Sequence, residues 1–557
     1  MPAVQEPEQL AVVRKTQFGP IEGVDDRARS RTLYWLGVPF AKPPVGALRW
    51  KAPQDPDPWT SVRPAKTFAS ACVQWGVLGG PGANNTYDAT IATTLNQVVG
   101  SEDCLYLNIW RPATRDAGLP VIVFIHGGYG VSGYTADPMY NGTNLSKAAN
   151  AIVVTVNYRL GVFGSLYLQQ LKTGSADEDS GNFGLLDNIK ALQWLRQNIS
   201  EFGGNANNVT LMGQSSGAIN VWALMVAAPT RRMGLFNRVI ALSSGVSLAS
   251  NLPTGSIPAL QPASYYAAQG KALLHSLLIA EGKAADDAAA TALVVKQASA
   301  QIADYLRGKS GSTILTTMVS KLVPLGLGAS GPIPDGALLP ADPIAAFAAG
   351  EYTSVPVLAS NTGEEGKLVA QMLALSPALG GASGFRASDA ERFKTLYGFD
   401  PNSTKLTVGS LVNEQYLPVD SPQTGYNART ALLAQILFIA NRDNVLNTLK
   451  ARQSNVWYYR FDWAKEPPPW NEVYGAAHAI DLLFVFGNFG PSLLSNAVGG
   501  DANKGGRIAL SEAMMASIAA FARSGDPNNV SLGIAWPVWP KTLVFDATLA
   551  EKVISVE

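Results

Sequence analysis

A serine flanked by glycines constrains the fold of this chain more than any other feature. The pattern G-x-S-x-G occupies residues 213–217, with Ser215 at its centre. It follows the short β-branched run 208–212 and precedes the apolar stretch 218–226, which we interpret as a buried helix. The serine therefore lies at a predicted strand-to-helix turn, the context of a nucleophile elbow in an α/β sheet. Taken without that context, the five residues are equally compatible with an ordinary glycine–serine turn.

Apolar runs that alternate with helical patterns predict the rest of the architecture. Continuous apolar strands separated by helices indicate a large, mostly parallel central sheet covered on both faces. We expect strands at 105–110, 121–125, 152–156, 208–212, 238–242, 355–359 and 456–461, helices at 185–199, 218–226 and 508–522, and antiparallel strands near 18–23 and 33–40.

Two mostly helical stretches interrupt this alternation. They span about 246–335 and 367–452, and we interpret them as insertions that cover the active site. Because no repeat and no long linker separates these parts, the chain is predicted to form a single domain over residues 1–557.

Charge and hydropathy exclude several classes of protein. The 557 residues carry 42 basic and 42 acidic side chains, which gives no basic surface for nucleic acid. No segment approaches the ~18 uninterrupted apolar residues of a membrane span. Residues 1–8 lack the basic and apolar regions of a signal peptide, which a mature exported chain would lack as well.

The two cysteines, Cys72 and Cys104, leave two interpretations open. They are either unrelated buried thiols or a disulfide that closes a loop of about 30 residues, worth roughly 3–4 kcal/mol in the chain-entropy model. The loop is rich in glycine, asparagine and proline, so a cross-link would constrain it. A disulfide would indicate an exported protein.

A serine hydroxyl needs a base, and the chain has only three histidines. His275 lies inside the first insertion and is interpreted as a helix-surface or core residue. His126 precedes a glycine-containing loop whose backbone N–H groups suit an oxyanion, and the histidine itself is interpreted as structural. His478 follows the last strong strand in a loop of small residues, which is where this fold places its base.

A carboxylate must orient the imidazole, and the expected chain order is serine, acid, histidine. Glu364 and Glu365 follow the predicted strand 355–359 and precede His478. The composition of this loop does not choose between the two adjacent glutamates.

Several longer motifs now make a family resemblance plain. They are GVPFAKPPVG at 37–46, SEDCLYLN at 101–108, NYRLG at 157–161, GNFGLLD at 181–187 and FGGN at 202–205. With these motifs the chain resembles the type-B carboxylesterases, the carboxylesterase, cholinesterase and lipase branch of the α/β-hydrolases. The resemblance runs from about residue 15 to residue 545.

The resemblance implies a role for each candidate residue. Ser215 would be the nucleophile, Glu365 the acid and His478 the base. The remaining implications are backbone oxyanion donors at Gly128, Tyr129 and Ser216, a disulfide between Cys72 and Cys104, and structural ion pairs involving Arg49, Glu102, Arg159 and Asp187. The family chemistry uses no metal and no organic cofactor, and none is expected here.

The chain departs from the family pattern at three positions around the serine. Gln214 stands where the family usually has glutamate, Ser216 where it has alanine, and Tyr129 where it has the third glycine of the oxyanion loop. Losing the carboxylate at 214 leads to the hypothesis that the acid part of the substrate is anionic. No tryptophan lies just before residue 101, where cholinesterases carry a cation platform, which argues against a choline ester.

The sequence therefore predicts a carboxylic-ester hydrolase that acts through an acyl-enzyme on small to medium soluble esters. We expect a small-molecule substrate, no nucleic-acid partner, and a secreted or periplasmic location. One alternative is a lipase or sterol esterase in which the cysteine loop 72–104 acts as a lid. Another, of a different class, is a non-catalytic adhesion or binding protein on the same scaffold, but such proteins typically lose the serine or the histidine.

Overall fold

The computed structural model describes residues 10–401 and 405–557. The predicted lack of signal-peptide features in residues 1–8 falls outside these ranges. No described helix combines the length and the hydropathy that crossing a bilayer requires.

The strands of the described residues follow one another along the whole chain. They are β1 (Val13–Thr16), β2 (Gly19–Glu22), β3 (Val24–Asp26), β4 (Thr32–Pro39), β5 (Arg63–Pro64), β6 (Gln74–Trp75), β7 (Val98–Val99), β8 (Tyr106–Pro112), β9 (Leu119–Ile125), β10 (Ile152–Val156), β11 (Gly204–Gln214), β12 (Arg238–Leu242), β13 (Val357–Thr362), β14 (Val456–Phe461), β15 (Leu543–Ala547) and β16 (Lys552–Val556).

An 11-stranded sheet in the order β16-β15-β14-β13-β12-β11-β9-β10-β8-β4-β3 organises the described structure. Parallel pairing joins β10, β9 and β11, and then continues strand by strand to β15. Antiparallel pairs are confined to the two sides, where β8, β4 and β3 close one edge and β16 the other. The predicted mostly parallel sheet is therefore confirmed, with β15 and β16 as strands that the sequence patterns missed.

Helices fill the connections between the strands. They are α1 (Ile91–Thr94), α2 (Thr143–Ala149), α3 (Gly161–Gly164), α4 (Ala176–Asp179), α5 (Phe183–Asn198), α6 (Ser216–Val226), α7 (Ala228–Met233), α8 (Ala263–Ala280), α9 (Asp287–Lys296), α10 (Ser299–Arg307), α11 (Gly311–Thr317), α12 (Pro343–Ala349), α13 (Asp389–Tyr397), α14 (Val408–Leu411), α15 (Tyr426–Ala434), α16 (Ala440–Lys450), α17 (Trp470–Val473), α18 (Asp481–Phe486), α19 (Leu493–Val498) and α20 (Lys504–Ser524).

Strand β9 shows why the sheet needs helices on both faces. Its side chains alternate between two separate cores, with Val121 and Val123 packed in one and Ile122 and Phe124 in the other. The first core includes α5 and α6, and the second includes α18 and α20. Because both faces of the strand are buried, its sequence is continuously apolar rather than alternating.

The two cysteines form a disulfide, which settles the alternatives that the sequence left open. The sulfur atoms of Cys72 and Cys104 are 2.01 Å apart. Next to the cross-link, Arg49 Nε lies 2.6 Å from Glu102 Oε2, and Arg49 Nη1 donates to the Lys309 carbonyl at 2.6 Å. This ion pair therefore ties the cysteine loop to the first helical insertion.

Glu466 is a carboxylate that the fold buries without a partner. Its side chain is 4% exposed, and neither of its oxygens has a hydrogen-bond partner in the part of the chain that the structure describes. Burial raises the pKa of Glu466 to about 8. Between the ordinary pKa of a glutamate and about pH 8, the folded state therefore keeps a proton that the unfolded state has lost. In this range stability falls as the pH rises.

We predict that Glu466→Gln is more stable relative to the wild type at pH 8 than at pH 5, because the amide has no proton to lose. The midpoint of thermal unfolding at both pH values measures this difference. Glu472→Gln, an exposed glutamate six residues away, is the matched control and should follow the wild type. Parallel pH dependences of the wild type and Glu466→Gln would contradict the prediction.

Candidate active site

Ser215 lies at a sharp turn between the end of β11 and the start of α6. Its backbone has φ 56° and ψ −125°, a strained conformation for a residue with a side chain. The Ser215 N–H donates to the Leu242 carbonyl at 2.8 Å, which holds the turn against the end of β12. The turn leaves the serine partly exposed, although its neighbours Gln214 and Ser216 are buried.

The glycines on either side of Ser215 are required by close backbone contacts. A Cβ atom at Gly213 would lie 2.4 Å from the Gly217 carbonyl oxygen. A Cβ atom at Gly217 would lie 2.1 Å from the Ile125 carbonyl oxygen. Strand β11, helix α6 and the end of β9 can approach each other this closely only because both positions lack a side chain.

His478 and Glu365 form a buried pair. His478 Nδ1 lies 2.6 Å from Glu365 Oε2, and the two residues are 5% and 0% exposed. The other carboxylate oxygen accepts hydrogen bonds from Asn361 Nδ2 at 2.7 Å and from the Thr362 N–H at 3.0 Å. Burial alone would raise the pKa of Glu365, but the adjacent His478 and these hydrogen bonds outweigh it and hold the pKa below its usual value.

The structure separates the two glutamates that composition alone left equivalent. Glu364 Oε1 pairs with Lys367 Nζ at 2.5 Å, and Glu364 Oε2 accepts from the Ala476 N–H at 2.9 Å. Glu364 thus joins the loop after β13 to the loop that carries His478. Glu365 is the one that reaches the imidazole.

The second imidazole nitrogen is bonded to Gln214 rather than to Ser215. His478 Nε2 lies 3.1 Å from Gln214 Nε2, and among the described residues no hydrogen bond links His478 to the Ser215 hydroxyl. When the Nδ1–H group of the imidazole donates to Glu365, Nε2 carries a lone pair, and this lone pair accepts a hydrogen bond from the amide of Gln214. The same amide lies beside the loop 126–130, because a Cβ atom at Gly127 would come within 2.7 Å of Gln214 Oε1 and 2.9 Å of Ser215 Cβ.

The loop 126–130 contains backbone N–H groups that have no protein acceptor in the described part of the chain. Within the described residues, no protein group accepts a hydrogen bond from the N–H of Gly128, Tyr129 or Ser216. His126 Nδ1 is bonded to the Gly127 carbonyl at 2.8 Å, and burial lowers the pKa of His126 to about 4. His126 is therefore a neutral residue of the loop and is not bonded to the serine.

Tyr129 projects from this loop toward the second helical insertion. Its backbone has φ 57°, its side chain is 45% exposed, and its phenol lies 3.2 Å from the sulfur of Met372. A large side chain therefore extends from this loop to the second helical insertion. The contact with Met372 was not foreseen, because it depends on how the insertion folds back.

Asp481 is a residue near the site that sequence reasoning missed. It is fully buried, and its Oδ2 accepts from the Tyr459 phenol at 3.0 Å. Burial, with the charge of Glu365, raises the pKa of Asp481 to about 7. Its position three residues after His478, at the start of α18, was the available signal.

His275, the third histidine, lies apart from this cluster. Its Nδ1 is 2.5 Å from Asp287 Oδ1 within the first insertion. In the described ranges, no group of three or more His, Cys, Asp and Glu side chains is placed to hold a metal ion.

Comparison with known proteins adds to this geometry. The sequence profile of the carboxylesterase family matches residues 10–548. Para-nitrobenzyl esterase of Bacillus subtilis (strain 168) is 31% identical over 539 residues, covering 96% of this chain and 94% of the relative. Cocaine esterase of Homo sapiens is 31% identical over 518 residues, covering 91% of this chain and 81% of the relative. A solved structure of PNB esterase superposes with a TM-score of 0.70 and 27% identity, covering 98% of this chain and 96% of the other.

The central sheet, the strained serine turn and these likenesses define an α/β-hydrolase that acts on carboxylic esters. Within that class, the chain belongs to the carboxylesterase family.

We predict that Gln214→Glu moves the acidic limb of the rate–pH profile to higher pH by about one unit, because a carboxylate beside His478 stabilises the protonated imidazole. The measurement is kcat/KM for a neutral ester between pH 5 and pH 9. Gln169→Glu, which adds the same charge at an exposed glutamine, should leave the profile unchanged. An unmoved or acid-shifted limb in Gln214→Glu would show that the 214 side chain does not act on the imidazole.

Proposed function

We propose that the protein hydrolyses its esters through an acyl-enzyme on Ser215. The Ser215 hydroxyl attacks the ester carbonyl while His478 Nε2 takes its proton, and Glu365 holds the imidazole and stabilises its charge. The N–H groups of Gly128, Tyr129 and Ser216 hold the oxyanion. The alcohol leaves with a proton from His478, and water then attacks the acyl group with the same base.

The observation that carries the proposal is the buried hydrogen bond between His478 and Glu365. Its 2.6 Å length and the Nδ1–H form of the imidazole leave Nε2 as the only nitrogen that can accept a proton. That nitrogen faces Gln214, the residue directly before the serine. A substrate that displaces the Gln214 amide would free Nε2 for the Ser215 hydroxyl.

Substitution of the three side chains tests the mechanism. Ser215→Ala should lower kcat at least 10⁴-fold, and Glu365→Gln about 10³–10⁴-fold, because the first removes the nucleophile and the second fails to stabilise the imidazolium. Glu364→Gln, the neighbouring carboxylate that pairs with Lys367, is the matched control and should keep kcat within about fivefold. Comparable losses in Glu364→Gln and Glu365→Gln, or a Ser215→Ala variant within tenfold of the wild type, would refute the assignment.

We further propose that the site accepts small to medium esters whose acid part carries a negative charge. The support is the neutral amide at 214, which replaces a carboxylate at hydrogen-bonding distance from the catalytic imidazole. An anionic acyl chain near this position meets no like charge from residue 214. Tyr129 at the rim limits the space for the substrate on the Met372 side.

Three 4-nitrophenyl esters of similar length measure this preference: the pentanoate, the monoester of glutaric acid and the 4-(trimethylammonio)butanoate. We predict that kcat/KM is highest for the glutarate, and that Gln214→Glu lowers this value about tenfold while changing the pentanoate less. Preference for the trimethylammonium ester would refute an anionic substrate. Higher activity on emulsified long-chain esters than on all three would instead favour a lipase.

We also propose that the protein works in an oxidising compartment, either secreted or periplasmic. The support is the disulfide between Cys72 and Cys104, because such bonds rarely persist among the reduced thiols of the cytosol.

A further inference from the structure

We propose that the side chain of Ser216 is a positioning residue that clamps the oxyanion loop onto the nucleophile turn. This role is distinct from the backbone N–H that Ser216 contributes, and it rests on the proposed function. The clamp is a chain of hydrogen bonds from Ser216 to both ends of the loop 126–130.

The first link joins Ser216 to the far end of the loop. The Gly130 N–H donates to Ser216 Oγ at 2.9 Å, and this contact is buried. Since Oγ accepts this hydrogen bond, the hydroxyl proton of Ser216 is available for donation to another group.

The second and third links return to the near end of the loop. Tyr158 lines the same small cavity as Ser216, and in the proposed clamp the Ser216 hydroxyl donates to its phenol. Burial raises the pKa of Tyr158, and the Ser216 side chain opposes that rise. The phenol in turn donates to the His126 carbonyl at 2.9 Å. In the proposed clamp the Gly130 N–H donates to the Ser216 hydroxyl, that hydroxyl donates to the Tyr158 phenol, and the phenol donates to the His126 carbonyl, so the two hydroxyls each donate and accept. Chains of this kind strengthen each member.

The loop needs such a restraint because its backbone is strained between these two ends. Gly128 has φ 110°, which glycine adopts readily, but Tyr129 has φ 57°, a strained conformation for a residue with a side chain. In the part of the chain that the structure describes, the N–H groups of both residues have no protein acceptor. Without an anchor at Gly130, the loop would relax and these donors would leave the oxyanion position.

Ser216 is suited to this role because its own position is fixed. It is 6% exposed, begins α6, and its carbonyl accepts from Asn220 Nδ2 at 2.9 Å. Ser216 therefore fixes the position of the loop relative to Ser215, its neighbour in sequence. Alanine, which the family usually has here, cannot form either hydrogen bond. The departures at 129 and 216 are thus linked, because the hydroxyl at one restrains the strained residue at the other.

The test uses Ser216→Ala, which keeps the backbone N–H, together with Tyr158→Phe and the double variant. Active-site titration with an organophosphonate gives kcat per competent serine, and a trifluoromethyl ketone reports on oxyanion binding. We expect Ser216→Ala to lower kcat about tenfold to thirtyfold with KM within twofold, and to weaken ketone binding by the same factor. Tyr158→Phe should lose less, and the double variant no more than Ser216→Ala.

Ser517→Ala is the matched control, since this buried hydroxyl of α20 likewise accepts one hydrogen bond from an N–H group and donates another. It should lower stability without changing kcat or ketone affinity. If Ser216→Ala lowers only the thermal midpoint, or if the effects of Ser216→Ala and Tyr158→Phe are additive, the clamp is refuted. If Ser216→Ala fails to fold, Tyr158→Phe is measured instead, and unchanged kcat and ketone affinity in that variant would refute the clamp. Failure of the wild type to react with the phosphonate would overturn the serine mechanism itself.

Discussion

The hydrogen bond between His478 and Glu365 is the interaction on which the rest of the site depends. A carboxylate with 0% exposure is destabilising by several kcal/mol unless charges and hydrogen bonds compensate for lost water. Here the compensation comes from His478, Asn361 and the Thr362 N–H. The Glu365 carboxylate therefore holds these three groups in place. Glu364 reinforces the same junction, because its N–H donates to the Ala476 carbonyl at 2.8 Å. The two loops are therefore held together by backbone as well as by the buried pair.

The parallel sheet explains how residues distant in sequence reach this junction. Strands β11, β13 and β14 run in the same direction, so their carboxyl ends lie at one edge of the sheet. Ser215 directly follows β11, Glu365 follows β13, and His478 lies in the loops after β14. The insertions and helices between these strands do not alter the arrangement, because strand pairing sets the distances between the carboxyl ends of the strands. The same edge receives the loop after β9, which carries Gly128 and Tyr129.

Sequence reasoning was successful where one local pattern decides the structure. The apolar run at 121–125 can only be a buried strand, and the glycines around Ser215 specify a tight turn, so the sheet and the serine were placed before any coordinates. Strand β16 was missed because its exposure alternates at the sheet edge and its composition is not strongly apolar. The contacts of Gln214 with His478, of Ser216 with Gly130 and of Tyr129 with Met372 could not be derived, since each depends on side chains from separate elements. Composition did not choose between Glu364 and Glu365 for the same reason.

The central claim is that Ser215 and His478 act together although the imidazole now contacts Gln214. A crystal structure of the protein with a phosphonate bound to Ser215 tests this claim most directly. The account predicts that His478 Nε2 leaves the Gln214 amide and comes within about 3 Å of the Ser215 oxygen or the leaving-group oxygen. It also predicts that the phosphonyl oxygen lies within about 3 Å of the N–H groups of Gly128, Tyr129 and Ser216. An adduct in which the imidazole stays on Gln214, with the phosphonyl oxygen away from these donors, would contradict it.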